Sequence, residues 1–293
     1  MLALLSALSC TPDPADSGEP ADSAPMEFAF SFVVLADPHI TGNADHTERL
    51  ETAVQWINDH TAERSIEMVV VVGDIGWGAG LEPSAEMLAQ LQAPWLPILG
   101  DNEISTGDEA RFDEVFGPQY DVLAGQVSDY RRGQVEVEGV NGTMTMQNHV
   151  FTHQGLRWVG LDWNSRHDGG LLSEFAEIHD TPGGTLPFFA DVLSDLEATD
   201  SEDVLLFSHH PMHLGSFDEE EMAAITAITG PISGRVAGAY AGHMHVSGEV
   251  EVSEGGYIAW ITDATWDDEN TLRVVSVYSS GSRWRYEQEL VEL

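Results

Sequence analysis

Short apolar runs recur along this chain, and five of them end directly in a polar cluster. They are continuous rather than alternating, which favours strands buried on both faces of a parallel sheet. The carboxyl ends of such strands lie along one edge of the sheet, where ligands collect. The runs are FSFVVLA at 30–36, MVVVV at 68–72, WLPIL at 95–99, VLLFS at 204–208 and VAGAYA at 236–241.

Helical periodicity fills several of the intervals between these runs. Leu50, Val54 and Ile57 share one helix face, with Asn43 or Asp45 as the cap. The result is a strand–helix–strand unit, which predicts a parallel, right-handed connection. Further helices are predicted at 84–91, from 185 to 196 and, behind the capping box of Asp218 and Glu221, from 218 to 228, with one helical turn at 111–116.

Strand pairs dominate the rest of the chain. Strands are predicted at 134–140, 144–150 and 156–162, with Asn141-Gly142 as a hairpin turn, and at 249–252, 257–261, 272–278 and 283–290. Helices alternating with strands, followed by strand pairs, predict an α/β (α+β) fold in which helices flank a two-sheet β-sandwich. We expect one folded domain over 26–293.

The charge of the chain is extreme. Its 293 residues include 11 basic side chains, all arginine, against 50 acidic ones, for a net charge of −39. Binding to nucleic acid releases counterions through basic side chains, so a DNA- or RNA-binding role is excluded as a general function. An anionic substrate would be repelled unless a local positive charge, such as bound metal, reversed the potential at the site.

The first 25 residues do not have the composition of a folded core. Residues 1–9 are mostly Leu, Ala and Ser, Cys10 is the only cysteine, and 11–25 are rich in Pro, Ser and Asp. This arrangement resembles the end of a bacterial lipoprotein signal, although Ala7 and the lack of early basic residues depart from it. We predict a signal remnant at 1–10 with a lipid on Cys10, a disordered acidic linker at 11–25, and export to the bacterial cell envelope. The alternatives are a periplasmic or secreted protein with a free cysteine in an unstructured tail.

The polar clusters at the strand ends carry carboxylates and imidazoles. Asp37 and His39 follow the first run, Asp74 the second, and His243 and His245 the last. Oxygen and nitrogen ligands without sulfur favour Mn, Fe, Zn or Ni. Two such ions about 3.5–4 Å apart can clamp the attacking and leaving oxygens of a displacement at phosphorus. The clusters therefore predict a site for two divalent metal ions, bridged by Asp74.

Taken in order, the motifs resemble those of the calcineurin-like metallophosphoesterase family. The series D-x-H, G-D, G-N-H-[D/E], H-x-P and G-H-x-H is matched at successive strand ends, and the resemblance extends over 28–278. It implies the two-sheet architecture of that family and hydrolysis of phosphate mono- or diesters, or anhydrides, by a hydroxide held between two metals. It also implies one ion held by Asp37, His39, Asp74 and His245, and a second held by Asp74, Asp101, His209 and His243.

The third motif departs from the family. Where the family has Gly-Asn-His-Glu, this chain has Gly100-Asp101-Asn102-Glu103. Asp101 therefore takes the place of an asparagine ligand, and Asn102 that of the histidine that assists the leaving oxygen. An amide can donate a hydrogen bond there but cannot act as a general acid. We therefore expect either a preference for stable leaving groups or a substitute among His46, His210 and His213, each of which is otherwise an ordinary loop histidine.

Three functions are compatible with these residues. The resemblance implies an enzyme that acts on a small phosphorylated substrate, with no nucleic-acid partner and with membrane contact only through Cys10. The alternative is a non-catalytic, metal-stabilised binding module in which Asn102 has abolished turnover. A nuclease would need a basic groove, which 11 arginines against 50 acidic residues can hardly supply.

Overall fold

The computed structural model describes residues 25–139, 142–166, 175–197, 203–267, 270–281 and 283–293. The predicted signal remnant, the linker as far as residue 24 and the Asn141 turn position lie outside this part of the chain, so the lipid on Cys10 stays a prediction. No helix among the described residues has the length and hydropathy of a membrane span.

Twelve strands and six α-helices make up the described structure. The strands are β1 Glu27–Leu35, β2 Ile66–Val72, β3 Trp95–Ile98, β4 Ser128–Gly139, β5 Gly142–His153, β6 Leu156–Leu161, β7 Val204–Ser208, β8 Val236–Ala241, β9 Gly248–Val252, β10 Tyr257–Ile261, β11 Thr271–Ser279 and β12 Trp284–Glu292. The helices are α1 Ala44–Arg64, α2 Leu81–Leu88, α3 Asp101–Ser105, α4 Glu109–Ala124, α5 Thr185–Glu197 and α6 Glu219–Thr229.

The strands form two sheets, which confirms the predicted fold class. One sheet has the order β12-β11-β1-β2-β3, and the other has the order β4-β5-β6-β7-β8-β10-β9. Strands β1, β2 and β3 are parallel in the first sheet, as are β6, β7, β8 and β10 in the second. All five apolar runs of the sequence are parallel strands, namely β1, β2, β3, β7 and β8.

Aromatic side chains hold the two sheets together. The Phe32 ring on β1 lies 5.0 Å from the Trp158 ring, 5.9 Å from the Phe207 ring and 5.4 Å from the Tyr240 ring of the facing sheet. All four residues are completely buried. This packing fixes the two sheets relative to each other, so that loops from both can contribute to one site.

Helix starts follow the predicted capping. The Asn43 side chain accepts a hydrogen bond from the Asp45 amide and begins α1, so Asn43 rather than Asp45 is the cap. The capping box of Asp218 and Glu221 is also present at α6. Thr185 begins α5, where its hydroxyl donates to the Asp162 carbonyl at 2.6 Å.

Three helices differ from the sequence prediction. The predicted helix at 84–91 is Leu81–Leu88, because Pro83 is tolerated in a first turn, where its missing amide has no helical acceptor. The single turn at 111–116 is the long helix α4, which continues through Pro118 because Phe112, Phe116 and Tyr120 bury one face. Helix α3, which follows β3 directly, was not predicted at all.

A buried ionic network lies beside the end of β3. Arg166 is fully buried and contacts Asp162 at 2.6 Å and Glu109 at 3.0 Å. The Asn164 side-chain amide donates to the Leu99 carbonyl at 2.9 Å. The loop after β6 is therefore tied to the loop after β3, where a candidate ligand lies.

Candidate metal centre

Loops from both sheets meet at one edge of the sandwich. Asp37 and His39 follow β1, Asp74 follows β2, and Asp101 begins α3 directly after β3. His209 follows β7 in the facing sheet, and His243 and His245 follow β8. These are the carboxyl ends of parallel strands, so the topology brings all seven predicted ligands to the same place.

The first cluster contains Asp37, His39 and His245. Oδ1 of Asp37 lies 3.8 Å from Nε2 of His39 and 3.6 Å from Nε2 of His245. The donor atoms of the three side chains all lie within 4.8 Å of one another. Asp37 is fully buried, while both imidazoles are partly accessible.

The second cluster contains Asp101, His209 and His243. Oδ1 of Asp101 lies 2.6 Å from Nε2 of His209 and 3.2 Å from Nδ1 of His243. The other ring nitrogen of His209, Nδ1, hydrogen-bonds the Val72 carbonyl at 2.9 Å. When Nδ1 donates this bond, Nε2 is left with its lone pair directed at the site, which is the tautomer that a metal ligand requires.

Asp74 lies between the two clusters. Its Oδ2 is 3.1 Å from Nε2 of His39, and its Oδ1 is 3.5 Å from Nε2 of His209. One carboxylate therefore faces a member of each cluster with a different oxygen. This is the placement required of a bridging ligand, which must offer one oxygen to each of two ions.

The backbone at the site is unusually strained. Nine described non-glycine residues have positive φ, and five of them are candidate ligands: Asp37 at 50°, His39 at 53°, Asp74 at 49°, His243 at 65° and His245 at 50°. Side chains other than glycine rarely adopt this conformation. Such strain persists only where the surrounding structure imposes it, and it concentrates at functional sites.

Opposite charges compensate one another within the site. Burial opposes ionisation of Asp37, yet the imidazoles of His245 and His39 hold the pKa of its carboxyl well below the usual range. The pKa of Asp101 is lowered in the same way, since His209 and His243 outweigh its burial. Burial alone would lower the pKa of His39, but Asp37 and Asp74 raise it to about 9.

This donor set fits two divalent cations. Three carboxylates offset most of the charge that two such ions would bring, and the imidazoles supply the nitrogen donors that Mn, Fe, Zn and Ni accept. Without metal, the neighbouring carboxylates raise the pKa of His39 and of His209, so that protons on these two imidazoles compensate the carboxylates instead. Metal binding must therefore displace protons.

The chain also matches a known protein family. A model of the calcineurin-like phosphoesterase family matches residues 30–247, which is most of the chain. The protein belongs to the calcineurin-like phosphoesterase family. No curated protein matches it.

Solved structures with a similar fold share little sequence with this family member. Purple acid phosphatase PPD1 from yellow lupin is 13% identical, with a TM-score of 0.46 over 90% of this chain and 53% of its own. The chain thus spans about half of that protein. Vps29 from Entamoeba histolytica is 12% identical, with a TM-score of 0.32 over 90% of this chain and 100% of its own. Vacuolar protein sorting 29 from Cryptosporidium parvum is 9% identical, with a TM-score of 0.35 over 91% and 100%.

Asn102 contacts the bridging carboxylate. Its backbone amide donates to Oδ1 of Asp74 at 2.9 Å, and its side-chain amide donates to Oδ2. The side chain is half-buried, so one side of it faces the open part of the site. Asn102 therefore orients Asp74 through both its backbone and its side chain.

Glu103 holds the surrounding loops, a role that the sequence analysis did not assign. Its two carboxylate oxygens accept hydrogen bonds from the amides of Gly76 at 3.0 Å and Gly100 at 2.9 Å. It is completely buried, and burial together with the charge of Asp74 raises its pKa to about 8. Glu103 links the loop after β2 to the start of α3, which positions Asp74 against Asp101.

The three candidate substitute histidines differ in placement. His46 hydrogen-bonds the His39 carbonyl at 2.8 Å through Nδ1, which leaves Nε2 directed elsewhere. His210 is buried, with its ring 4.2 Å from that of His243. His213 bonds the Leu214 carbonyl in its own loop and, within the described residues, makes no ring contact or hydrogen bond with the seven candidate ligands. The structure thus brings His46 and His210, but not His213, beside the site.

Two tryptophans enclose His39, and Trp266 was not identified as a site residue from the sequence. Trp77 lies edge-on to the His39 ring at 5.1 Å, and Trp266 stacks on it at 5.4 Å with an interplanar angle of 21°. Trp266 also contacts His245 at 5.5 Å and His46 at 5.3 Å. The sequence signal for Trp266 was a tryptophan in the polar segment TDATWDD, directly after a strand.

Replacing Gly73 with alanine is expected to displace His209. A methyl group there would overlap the His209 ring, and Gly73 has a φ of 87°. Gly78→Ala is the matched control, because Gly78 also has positive φ, at 56°, but has open space around it. We expect both variants to lose about 1 kcal/mol through backbone strain, and Gly73→Ala alone to lose metal. Thermal unfolding and metal content measure the two effects; equal metal content in both variants would contradict the prediction.

Metal affinity is expected to rise with pH up to about 9, since His39 carries a proton below its pKa of about 9 and must release it to bind an ion. One released proton corresponds to about a tenfold gain in apparent affinity per pH unit. Calorimetric titration of the EDTA-treated protein with Mn²⁺ in buffers of different ionisation enthalpy measures both the slope and the protons released. An affinity that stays flat between about pH 7 and 9 would show that His39 does not exchange a proton for metal.

Proposed function

We propose that this protein hydrolyses a phosphate mono- or diester, or an anhydride, of a small molecule at a centre of two divalent metal ions. The observation that carries the proposal is the position of Asp74, with one oxygen 3.1 Å from His39 and the other 3.5 Å from His209. A carboxylate shared between two neighbouring donor clusters is suited to a pair of ions and exceeds what a single ion needs.

Some residues of the site would bind the ions, and others orient a ligand or shield the site from water. Asp37, His39 and His245 would hold one ion, Asp101, His209 and His243 the other, and Asp74 both. When bound, such ions neutralise charge on the phosphoryl oxygens and lower the pKa of water. Asn102 keeps Asp74 in place and has an amide that can donate to the leaving oxygen. Trp77 and Trp266 shield His39 from bulk water.

The net charge of the protein favours one class of substrate. With a net charge of −39, the field outside the site repels polyanions, so a small phosphorylated molecule is favoured over nucleic acid.

Asn102 cannot protonate a leaving group, which favours esters whose leaving oxygen is already stable, such as phenolates and phosphates. We therefore propose aryl esters and anhydrides ahead of alkyl esters.

The test is metal-dependent turnover. The EDTA-treated protein is loaded with Mn²⁺ and assayed with p-nitrophenyl phosphate and bis(p-nitrophenyl) phosphate; we expect release of nitrophenolate that disappears on renewed chelation. Two ions bound per chain without turnover on a broad panel of esters and anhydrides would instead establish the metal-stabilised binding module. That alternative is favoured by one observation, the amide of Asn102 at a position where the family has an acid.

A further inference from the structure

A groove of about 580 Å³ lies between the two sheets, and none of the seven candidate ligands lines it. Its walls come from β9 and β10 on one side and from β11 and β12 on the other, where the sandwich opens at its edge. Gly248 lies at its rim, three positions after the candidate ligand His245 in the sequence. The proposed phosphoesterase chemistry uses none of the side chains that line it.

A buried cation forms part of the groove wall. Arg273 is only 3% exposed, and its guanidinium lies 5.3 Å from the centre of the Trp260 ring. Its Nε donates to the Thr262 hydroxyl at 3.1 Å, and Nη2 donates to the Ile261 carbonyl at 2.7 Å. Both partners are neutral, and within the described residues no carboxylate lies within 4.0 Å of the guanidinium and Nη1 donates no hydrogen bond. A buried arginine without a contacting carboxylate leaves Nη1, with its two N–H donors, available to an anion.

Gln288 and Glu249 also line the groove. The Gln288 amide donates through Nε2 to the Tyr240 hydroxyl at 3.0 Å, which fixes the orientation of the side chain. Its Oε1 is buried, so the acceptor that a ligand N–H group can reach is the exposed carboxylate of Glu249. The charge of Glu249 also acts on Arg273, so a ligand that carries both a carboxylate and an N–H group complements both residues.

The remaining wall is aromatic and apolar. Trp260 and Tyr286 are half-buried on opposite sheets, so each offers part of its ring surface to the groove. Ring faces bind flat or apolar groups, while the polar groups beside them determine orientation. The groove therefore combines the unpaired Nη1 of Arg273, the carboxylate of Glu249 and an aromatic surface.

We propose that this groove binds a small carboxylate that also carries an N–H group and an apolar part, as an N-acylated amino acid does. The carboxylate accepts from Nη1 of Arg273, the N–H group donates to the carboxylate of Glu249, and the apolar part packs on Trp260 and Tyr286. The site is separate from the metal centre and does not depend on the proposed phosphoesterase activity.

N-acetyl-L-phenylalanine is the probe, titrated calorimetrically into the full chain after EDTA treatment, so that metal coordination of the carboxylate cannot contribute. Its methyl ester, which lacks the charge but keeps the shape, is the matched ligand control. We expect the acid to bind and the ester to bind at least about tenfold more weakly, as for loss of a charge-assisted hydrogen bond. Absence of binding by the acid at millimolar concentration, or equal binding of acid and ester, would overturn the proposal.

Two variants test whether the probe binds in the groove. Gly248→Trp fills the rim of the groove, and a side chain can be added there because nothing lies within 4 Å of the position its Cβ would take. Arg273→Met removes the cation but also three contacts of a buried residue, so its folding is checked by circular dichroism. We expect both to abolish binding of the acid; unchanged binding by folded Gly248→Trp would show that the probe binds elsewhere and would refute the groove as its site.

Discussion

His209→Ala is expected to lower phosphoesterase turnover by at least about 10³-fold, because an ion that stabilises the transition state contributes several kcal/mol. His209 is fully buried, with Nε2 2.6 Å from Asp101 and Nδ1 fixed by the Val72 carbonyl. Its loss would remove a ligand and leave Asp101 without its closest partner. We also expect one of two ions to be lost, which metal analysis of the purified variant measures alongside kcat.

The matched control is His60→Ala. His60 lies on α1, with its ring 4.2 Å from Trp56 and its Nδ1 2.7 Å from the Trp56 carbonyl. The substitution removes the same side chain outside the site, so turnover and metal content should remain those of the wild type. Full turnover in folded His209→Ala with normal metal content would contradict the proposed ligand set.

The main features of the fold could be predicted because they depend on local patterns. Continuous apolar runs such as MVVVV are readable without tertiary information, and all five became parallel strands. Their common direction then requires the following loops to lie along one edge, which is why Asp37 and His245 could be placed together from sequence alone. What the pattern could not show was the strain at these positions, since positive φ at an aspartate or histidine has no signature in composition.

The features that escaped prediction depend on contacts distant in sequence. Trp266 is a site residue only because its loop is held against β1, through the Thr265 amide and the Ala36 carbonyl at 2.8 Å. Glu103 stood in a recognised motif, but its role required knowing that the amides of Gly76 and Gly100 converge on it. Helix α4 extends beyond the predicted turn at 111–116 and continues through Pro118, because burial of Phe116 and Tyr120 on either side of it outweighs the preference of proline to end a helix.

Asn102→His is expected to raise turnover of poor leaving groups by about 10²–10⁴-fold, the usual contribution of a general acid. Asn102 is half-buried beside Asp74, where its side-chain amide reaches Oδ2. An imidazole there could protonate the leaving oxygen of an alkyl ester, which departs as a strong base without such help. A nitrophenolate needs no proton, so its release should change little.

The measurement is kcat/KM for alkyl and nitrophenyl phosphates in the wild type, Asn102→His and Asn102→Gln. Asn102→Gln keeps the amide but supplies no acid, so it controls for displacement of Asp74, whose Oδ1 is also held by the backbone amide of residue 102 at 2.9 Å. The acid hypothesis requires a gain that grows with the pKa of the leaving group in the histidine variant alone. A uniform change for both ester types, or the same change in the glutamine variant, would mean that residue 102 acts by orienting Asp74 rather than by assisting departure.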